Sequence, residues 1–302
     1  HWFFAWIGLE LNTMAIIPIL AKHHHPRATE AATKYFIIQA AASSMILFSS
    51  IMNAWYTGNW DITQLSTHLS TILLTIALTM KLGLAPMHFW LPEVMQGTTM
   101  SAAYIITTWQ KLPPMSLLLM TANHLPTPIL MTLAITSTMI GGWSGLNQVQ
   151  MRKIMAFSSI AHLGWMMAIM TLSQKLLLLN LTIYILTTTA MFMIMIPLTT
   201  KTFKDMSQTW TISPTLTTIS MLILMSLGGL PPLIGFLPKW LILKELITNH
   251  LTPLATSLAI SSLLSLMFYM RLTYTATLTI SPNTTNSMMK WRFKPTNMTN
   301  VT

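Results

Sequence analysis

Four ionisable residues fall inside long apolar stretches of this 302-residue chain: Glu10, Lys81, Lys111 and Lys239. A lysine at the centre of a membrane costs about 2.5–3.5 kcal/mol to insert, so such residues usually mark a function. Burial disfavours the charged form of a lysine, and an approaching carboxylate restores it. A Glu–Lys pair whose separation changes can therefore load and release a proton. We interpret these four residues as candidates for proton transfer.

Each candidate also has a simpler explanation. Lysines near helix ends can extend their ammonium groups to the membrane surface, and Glu10 could serve only as a structural hydrogen-bond partner. Two histidines, His88 and His162, are further candidates because histidine titrates near neutral pH. Either histidine could instead fill a packing role.

A break in the helix is predicted directly after Lys81. The segment Lys81–Glu93 contains Gly83, Pro86 and Pro92 within what otherwise reads as a membrane helix. Proline removes a backbone donor and clashes with the carbonyl four residues earlier, so the helix should break or kink here. Irregular backbone at membrane depth is tolerated where it lines a cavity or is buried in protein. We therefore expect water or a second charge to reach Lys81.

Lys111 precedes a second irregular segment. The pair Pro113-Pro114 lacks the N–H groups that would bond the carbonyls near Trp109 and Gln110. We expect these free carbonyls to hold water beside the Lys111 ammonium.

An internal repeat relates two proline-rich segments. Leu84–Glu93 aligns with Leu230–Lys239, with leucine and proline matching in place and Trp90 opposite Phe236. The copies lie five predicted spans apart, so they should cross the membrane in opposite directions. Such inverted repeats are typical of transporter folds with a site near the midplane. Two chance proline clusters are the alternative.

The composition is that of a polytopic membrane protein. The chain is 53% hydrophobic and 7% charged, whereas soluble domains carry about 25% charged residues. We predict an all-α bundle of nine spans, since about 17–25 apolar residues cross a bilayer. The predicted spans are approximately 1–20, 35–56, 68–92, 101–120, 127–145, 154–171, 176–198, 214–240 and 251–272.

Lysine and arginine are distributed unequally between the two predicted faces. Loops after odd-numbered spans, together with the tail, hold eleven of them, and loops on the other face hold two. The positive-inside rule then places these basic loops and the tail 281–302 inside, and the N-terminus outside. The glycosylation patterns at Asn283 and Asn297 fall on this inside tail, so we expect them to stay unmodified.

Several function classes are excluded or disfavoured. The chain has no cysteine, which excludes a cysteine-ligated iron–sulfur cluster, a disulfide and thiolate catalysis in this chain. It contains neither a GxGxxG nor a Walker loop for a nucleotide. We attribute the net charge of +10 to membrane-face loops rather than to nucleic-acid binding. Three adjacent histidines, His23-His24-His25, lack helical ligand spacing, and we expect no metal site.

The order of motifs along the chain resembles the mitochondrially encoded NADH–ubiquinone oxidoreductase chain 2 family, the antiporter-like subunits of respiratory complex I, in its mammalian form. The motifs are Ile7-Gly-Leu-Glu10, Pro26–Tyr35, Lys81–Pro86, Trp109-Gln-Lys111, Ile140-Gly-Gly-Trp143, Arg152–His162, Gly228-Gly-Leu-Pro-Pro232 and Pro238-Lys-Trp240.

The resemblance implies one antiporter-like domain over residues 1–280, built from two inverted five-helix repeats that each contain a broken helix. Repeat one covers about 1–171, including an extra N-terminal span or two, and an incomplete repeat two covers about 176–280. Because the family has more spans than we count, and because the chain starts inside an apolar run without a signal-peptide pattern, we expect that one helix is missing at each end.

The resemblance also assigns roles. Glu10 and Lys81 correspond to the family's modulating pair, Lys111 to its central lysine and Lys239 to its terminal lysine. It implies a proton-translocating subunit of the mitochondrial inner membrane, with the basic loops and tail in the matrix. NADH, FMN, iron–sulfur clusters and ubiquinone are expected on other subunits. The expected partners are other membrane-arm subunits, including neighbouring antiporter-like subunits, and the lipid bilayer, with no nucleic acid.

Two other functions stay open. A stand-alone cation/proton antiporter would share the fold, although a sodium site usually requires buried carboxylates and only Glu10 lies in mid-span. A purely structural scaffold predicts that Lys81→Met and Lys111→Met leave proton pumping intact.

Overall fold

The computed structural model describes residues 1–22 and 25–278, apart from the side chains of residues 211 and 212. Within these ranges the chain forms thirteen α-helices and two short 3-10 turns at 109–111 and 122–124, and no β-strand. The helices are α1 (Trp2–Leu20), α2 (Pro26–Thr57), α3 (His68–Leu82), α4 (Trp90–Gly97), α5 (Met100–Thr107), α6 (Leu112–Thr121), α7 (Thr127–Leu146), α8 (Met151–Ile169), α9 (Gln174–Leu198), α10 (Phe203–Ile212), α11 (Pro214–Gly228), α12 (Phe236–Thr248) and α13 (Thr252–Leu278). The predicted all-α fold is confirmed.

Every predicted span contains helix. Five single helices, α1, α2, α7, α9 and α13, are long and apolar enough to cross a membrane. The third and eighth predicted spans are each divided into two helices, α3 with α4 and α11 with α12. The short helix α10 lies between predicted spans and was not predicted.

The two breaks share one backbone geometry. Gly83 ends α3 in the left-handed region at φ +78°, and its N–H donates to the carbonyls of Thr79 and Met80. The N–H of Leu84 then donates back to Thr79. Glycine suits this position because a side chain is strained at positive φ. The chain resumes as helix at Trp90.

The second break repeats this arrangement. Gly229 ends α11 at φ +83°, and its N–H donates to the carbonyls of Met225 and Ser226. Leu230 donates to Met225, and helix resumes at Phe236. Both restarts fall at a pair in the sequence alignment, Trp90 with Phe236, and both capping glycines lie one residue before the aligned segments.

The fourth predicted span is also interrupted, but not in the expected way. Helix α5 ends at Thr107, and α6 begins at Leu112 after the 3-10 turn. The Trp109 carbonyl is not free, because the Leu112 N–H donates to it. That part of the prediction was wrong, since the chain tightens to 3-10 spacing and uses the N–H of the residue before the prolines.

Helix α8 lies at the centre of the bundle, with sixteen of its nineteen residues buried. Small residues let α7 approach it closely. A Cβ added at Gly164 would meet the side chains of Ser137 and Thr138, and one at Gly141 would lie 2.8 Å from the backbone nitrogen of Ala161. Close backbone contact at small residues is a common means of packing membrane helices.

Loops that follow odd-numbered predicted spans contact one another. The Arg152 guanidinium donates to the carbonyl of Thr98, and the Met151 N–H donates to the carbonyl of Lys201 at 3.0 Å. Near the same loops, the Arg271 guanidinium of α13 donates to the carbonyl of Leu146 at the end of α7, at 2.8 Å. These loops therefore share one face of the molecule, as the charge distribution requires. We call it the basic face.

Candidate functional site

Lys81 lies in the last turn of α3 and is buried, with 5% of its surface exposed. Its backbone carbonyl accepts a hydrogen bond from Gln39 Nε2 at 3.3 Å. Within the described residues its Nζ has no hydrogen-bond partner. A buried ammonium without an acceptor is costly.

One small internal cavity joins Lys81 to Lys111. Both lysines line it, and its volume of about 10 Å³ has room for about one water molecule. We call it the Lys81 cavity. Its polar walls come from Asn12, Gln39 and Gln110. A single bridging water here would have the polar partners that a buried water needs.

Gln110 anchors a hydrogen-bond network on the wall of the Lys81 cavity. Its Oε1 accepts from Asn12 Nδ2 at 2.7 Å and from the Tyr35 hydroxyl at 3.3 Å. Its Nε2 donates to Asn12 Oδ1 at 3.2 Å. The network joins α1, α2 and the 3-10 turn, so it holds the turn, and with it Lys111, against the Lys81 cavity.

Glu10 approaches this region from α1 without touching Lys81. Its Oε2 is buried and has no hydrogen-bond partner in the described part of the chain. The carboxylate interacts electrostatically with Lys81. All ion pairs shorter than 4.0 Å among the described residues involve Lys34 instead. The structure therefore shows Glu10 and Lys81 apart but within electrostatic range.

Lys111 is held by a tyrosine that sequence reasoning missed. The buried Lys111 Nζ donates to the hydroxyl of Tyr184 at 2.9 Å and lies 4.9 Å from the centre of the same ring. The Tyr184 hydroxyl donates to the carbonyl of Thr107 at 3.1 Å. Tyr184 lies in the middle of the apolar helix α9. A single tyrosine hydroxyl within an apolar helix could have identified it from the sequence.

Lys239 uses the second break directly. It lies in the first turn of α12, and its Nζ donates to the carbonyls of Gly228 at 2.9 Å and Leu227 at 3.4 Å. These carbonyls belong to the last turn of α11, where helices leave such groups unpaired. A Cβ at Gly229 would lie 2.9 Å from the Lys239 Nζ. The break thus provides both the acceptors and the space for the ammonium.

A second cavity of about 10 Å³ lies beside Lys239, and we call it the Lys239 cavity. His162, Tyr184 and Asn180 share its wall with Lys239. The His162 ring centre is 5.5 Å from that of Tyr184, and His162 interacts electrostatically with both Lys111 and Lys239. Tyr184 therefore contacts Lys111 on one side and the Lys239 cavity on the other.

We call the series of side chains from Lys81 through Lys111 and Tyr184 to the Lys239 cavity the line. The other candidates predicted from the sequence lie apart from it. His88 is buried in the first break, with Nδ1 3.2 Å from the carbonyl oxygen of Pro86 and its ring 4.2 Å from that of Phe89. His23, His24 and the tail with both glycosylation patterns lie outside the described residues. Residues 1–22 and 25–278 contain no group of three or more histidine and acidic side chains arranged to hold a metal.

The arrangement favours protons over metal cations. Two lysines line the Lys81 cavity, which has space for about one water, and no carboxylate lines it. A cation site would need several oxygen ligands and negative charge. Amines, hydroxyls and single waters can pass a proton along the line instead.

The family described as NADH:quinone oxidoreductase/Mrp antiporter, TM matches residues 1–265, and that described as NADH dehydrogenase subunit 2 C-terminus matches residues 266–302. The chain is 56% identical to NADH-ubiquinone oxidoreductase chain 2 of Xenopus laevis over 97% of its own length and 85% of the relative's. It is also 56% identical to the Varanus melinus protein of that name, over 100% of its own length and 87% of the relative's.

Solved structures show the same architecture. A chain of respiratory complex I from Thermus thermophilus, solved with bound aureothin, matches with a TM-score of 0.86 and 26% identity, over 93% of this chain and 67% of that one. A chain of the Mrp complex from Dietzia sp. DQ12-45-1b matches with a TM-score of 0.78 and 14% identity, over 88% and 55%, which shows the fold alone. The chain therefore belongs to the antiporter-type transmembrane subunits of NADH:quinone oxidoreductases, and among them to the NADH-ubiquinone oxidoreductase chain 2 family.

Proposed function

We propose that this chain translocates protons as a membrane subunit of respiratory complex I, along a line through Glu10, Lys81, Lys111 and Lys239. One observation carries the proposal. Lys81 and Lys111 line the same water-sized cavity, and Tyr184 connects Lys111 to the cavity of Lys239. These contacts support a line through the three lysines, and Glu10 acts on Lys81 through its charge.

The first transfer runs across the Lys81 cavity. When Glu10 moves toward Lys81, its negative charge stabilises the ammonium form, and when it moves away the ammonium is left without a partner. The proton then passes through a water in the Lys81 cavity to a neutral amine at Lys111. The separation of Glu10 from Lys81 in this structure corresponds to the releasing arrangement.

The second transfer runs through Tyr184. The Lys111 ammonium already donates to the Tyr184 hydroxyl. For a proton to continue, the hydroxyl must turn from the carbonyl of Thr107 toward the Lys239 cavity, where His162 or a water can accept it. Lys239 receives the proton beside the freed carbonyls of α11.

The same proposal assigns the redox chemistry to other subunits. NADH oxidation, FMN, the iron–sulfur clusters and ubiquinone reduction belong there, since this chain has no cysteine and no nucleotide loop. The names of the relatives support coupling to NADH and ubiquinone. The partners are the other membrane-arm subunits and the bilayer, and the location is the mitochondrial inner membrane with the basic face in the matrix. Residues 1–280 act as one antiporter-like domain of two repeats.

Lys81→Met and Lys111→Met in the assembled complex test the proposal. Methionine keeps an unbranched apolar stem as far as Cε but removes the proton-carrying amine. We expect complex assembly to persist and the number of protons pumped per NADH oxidised to fall. Unchanged pumping in both variants would instead support the structural scaffold.

A stand-alone sodium/proton antiporter is disfavoured by the same geometry. The Lys81 cavity carries two lysines and holds about one water, so a sodium ion would meet positive charge and too few oxygen ligands. Proton pumping that requires sodium would revive this alternative.

A further inference from the structure

A polar pocket opens on the basic face above the Lys81 cavity. Its volume is about 400 Å³, far larger than either internal cavity. We call it the mouth pocket, and its lining residues are Arg27, Glu30, Ala31 and Lys34 of α2, Glu93, Gln96 and Gly97 of α4, and Lys153 of α8.

The mouth pocket and the Lys81 cavity share the same two helices. On α2, Lys34 lines the mouth pocket and the next residue, Tyr35, lines the Lys81 cavity. On α4, Glu93 lines the mouth pocket, while Trp90 lines the Lys81 cavity. Because a helical turn rises about 5.4 Å, about one turn separates bulk water from the cavity that holds two of the proposed proton carriers.

Two aromatic rings, one from α2 and one from α4, lie between the mouth pocket and the Lys81 cavity. The rings of Tyr35 and Trp90 meet edge to face with centres 5.8 Å apart, and both residues are buried. The Tyr35 hydroxyl donates to Gln110 Oε1, and the Trp90 Nε1 donates to the carbonyl of Met80. The rings are thus tied to the network beside Lys111 and to the first break, so movement at either place would shift them.

Acidic side chains cluster at the mouth pocket, although it lies on the basic face. The chain has six acidic residues, and two of them, Glu30 and Glu93, lie here. Both pair with Lys34, at 2.7 Å and 2.8 Å, and all three side chains are between 41% and 61% exposed. Exposed ion pairs contribute only about 0–1 kcal/mol, so the carboxylates can separate from Lys34 and contact water.

We propose that the mouth pocket is the aqueous port that supplies the Lys81 cavity with protons, and that the Tyr35–Trp90 ring pair is its closed constriction. This inference rests on the proposed function. A Glu93 carboxylate oxygen takes a proton from bulk water and releases it to a water that passes when the rings separate. The proton then binds the neutral amine of Lys81.

Thiol labelling at the mouth pocket gives the direct test. The chain has no cysteine of its own, so Gln96→Cys introduces one reactive position into this subunit of the assembled complex. A bulky methanethiosulfonate reagent applied to the basic face should lower the initial rate of proton pumping several-fold. The matched control is Asn147→Cys, an exposed position in another loop of that face, where labelling should leave pumping unchanged.

A pair of substitutions separates a port from a structural clamp. Glu93→Gln and Lys34→Met both remove the ion pair between α2 and α4, although glutamine can still accept a hydrogen bond from Lys34. If the ion pair only holds the helices together, Glu93→Gln should lose no more pumping than Lys34→Met. A port predicts that Glu93→Gln slows pumping, while Lys34→Met, which leaves both carboxylates free, does not.

The outcomes are distinguishable from failure of the proposed function. If Lys81→Met abolishes pumping but labelled Gln96→Cys pumps normally, protons reach Lys81 by another route and the port is wrong. Equal losses in Glu93→Gln and Lys34→Met also overturn the port. If Lys81→Met itself pumps normally, the proposed function fails first.

Discussion

Tyr184→Phe tests the step on which the line between Lys111 and Lys239 depends. The substitution keeps the ring, and therefore the contact of the Lys111 ammonium with its face at 4.9 Å. It removes the hydroxyl that accepts from Lys111 at 2.9 Å and that donates to the carbonyl of Thr107 at 3.1 Å. The change is thus confined to one oxygen atom and its proton.

The expected magnitude follows from the lost hydrogen bond. Hydrogen bonds to charged groups contribute about 1.5–3 kcal/mol, whereas the ring contact that remains contributes about 0.5–2 kcal/mol. Loss of the hydrogen bond to Tyr184 therefore shifts the equilibrium of Lys111 from the ammonium toward the neutral amine by about 10- to 100-fold, since about 1.4 kcal/mol corresponds to a factor of ten. The substitution also removes the hydroxyl that would relay the proton toward the Lys239 cavity.

The assay is proton pumping by the purified complex in sealed vesicles, measured as fluorescence quenching and divided by the rate of NADH oxidation. We expect Tyr184→Phe to assemble normally and to pump fewer protons per NADH. Tyr104→Phe is the matched control, because this half-buried tyrosine packs against Phe192, outside the line. Normal pumping in Tyr184→Phe would refute the relay, even if the lysine variants are inactive.

Three further predictions concern the scaffold. Gly229→Ala should lower the free energy of unfolding by about 1–2 kcal/mol, because alanine is strained in the left-handed backbone conformation. It should also impair pumping, because the new methyl would lie 2.9 Å from the Lys239 Nζ. The control is Gly58→Ala, at φ +71° with open space around it, which should show only the backbone cost in thermal unfolding. Gly164→Ala should lower thermal stability by about 1–3 kcal/mol, because its methyl would enter the α7–α8 contact, and an unchanged melting temperature would contradict that packing. Burial raises the pKa of the Asp205 carboxyl, but hydrogen bonds from backbone amides outweigh burial and leave the pKa below the 3.8 of an unperturbed aspartate. Since this pKa is lowered in the fold, the carboxylate's stabilisation of α10 is fully present above pH 3.8 and is lost as pH falls further, which hydrogen exchange of the α10 amides should show.

Much of the architecture could be read from local chemistry. Apolar length predicted where helices form, because a membrane helix satisfies its own backbone and needs about 20 apolar residues. Glycine and proline predicted both breaks, and the alignment of Leu84 with Leu230 places both caps correctly. These features depend on neighbours within a few residues, so a single sequence contains them.

Two local features were predicted incorrectly, a short helix and the hydrogen bonding of a turn. The short helix α10 was missed because it is amphipathic and brief, and because its capping box between Thr202 and Asp205 stabilises it without apolar length. The Trp109 carbonyl was expected to be free, but a 3-10 bond from Leu112 occupies it.

By itself the sequence determined that Glu10, Lys81, Lys111 and Lys239 fall within apolar stretches, because charged residues among apolar ones can be seen directly in the sequence. It did not determine how they are connected. The tertiary structure alone decided that Lys81 and Lys111 share a cavity and that Tyr184, 73 residues beyond Lys111, holds its ammonium. Such contacts join helices far apart in the chain, and only the packing of the bundle brings their side chains within hydrogen-bonding distance.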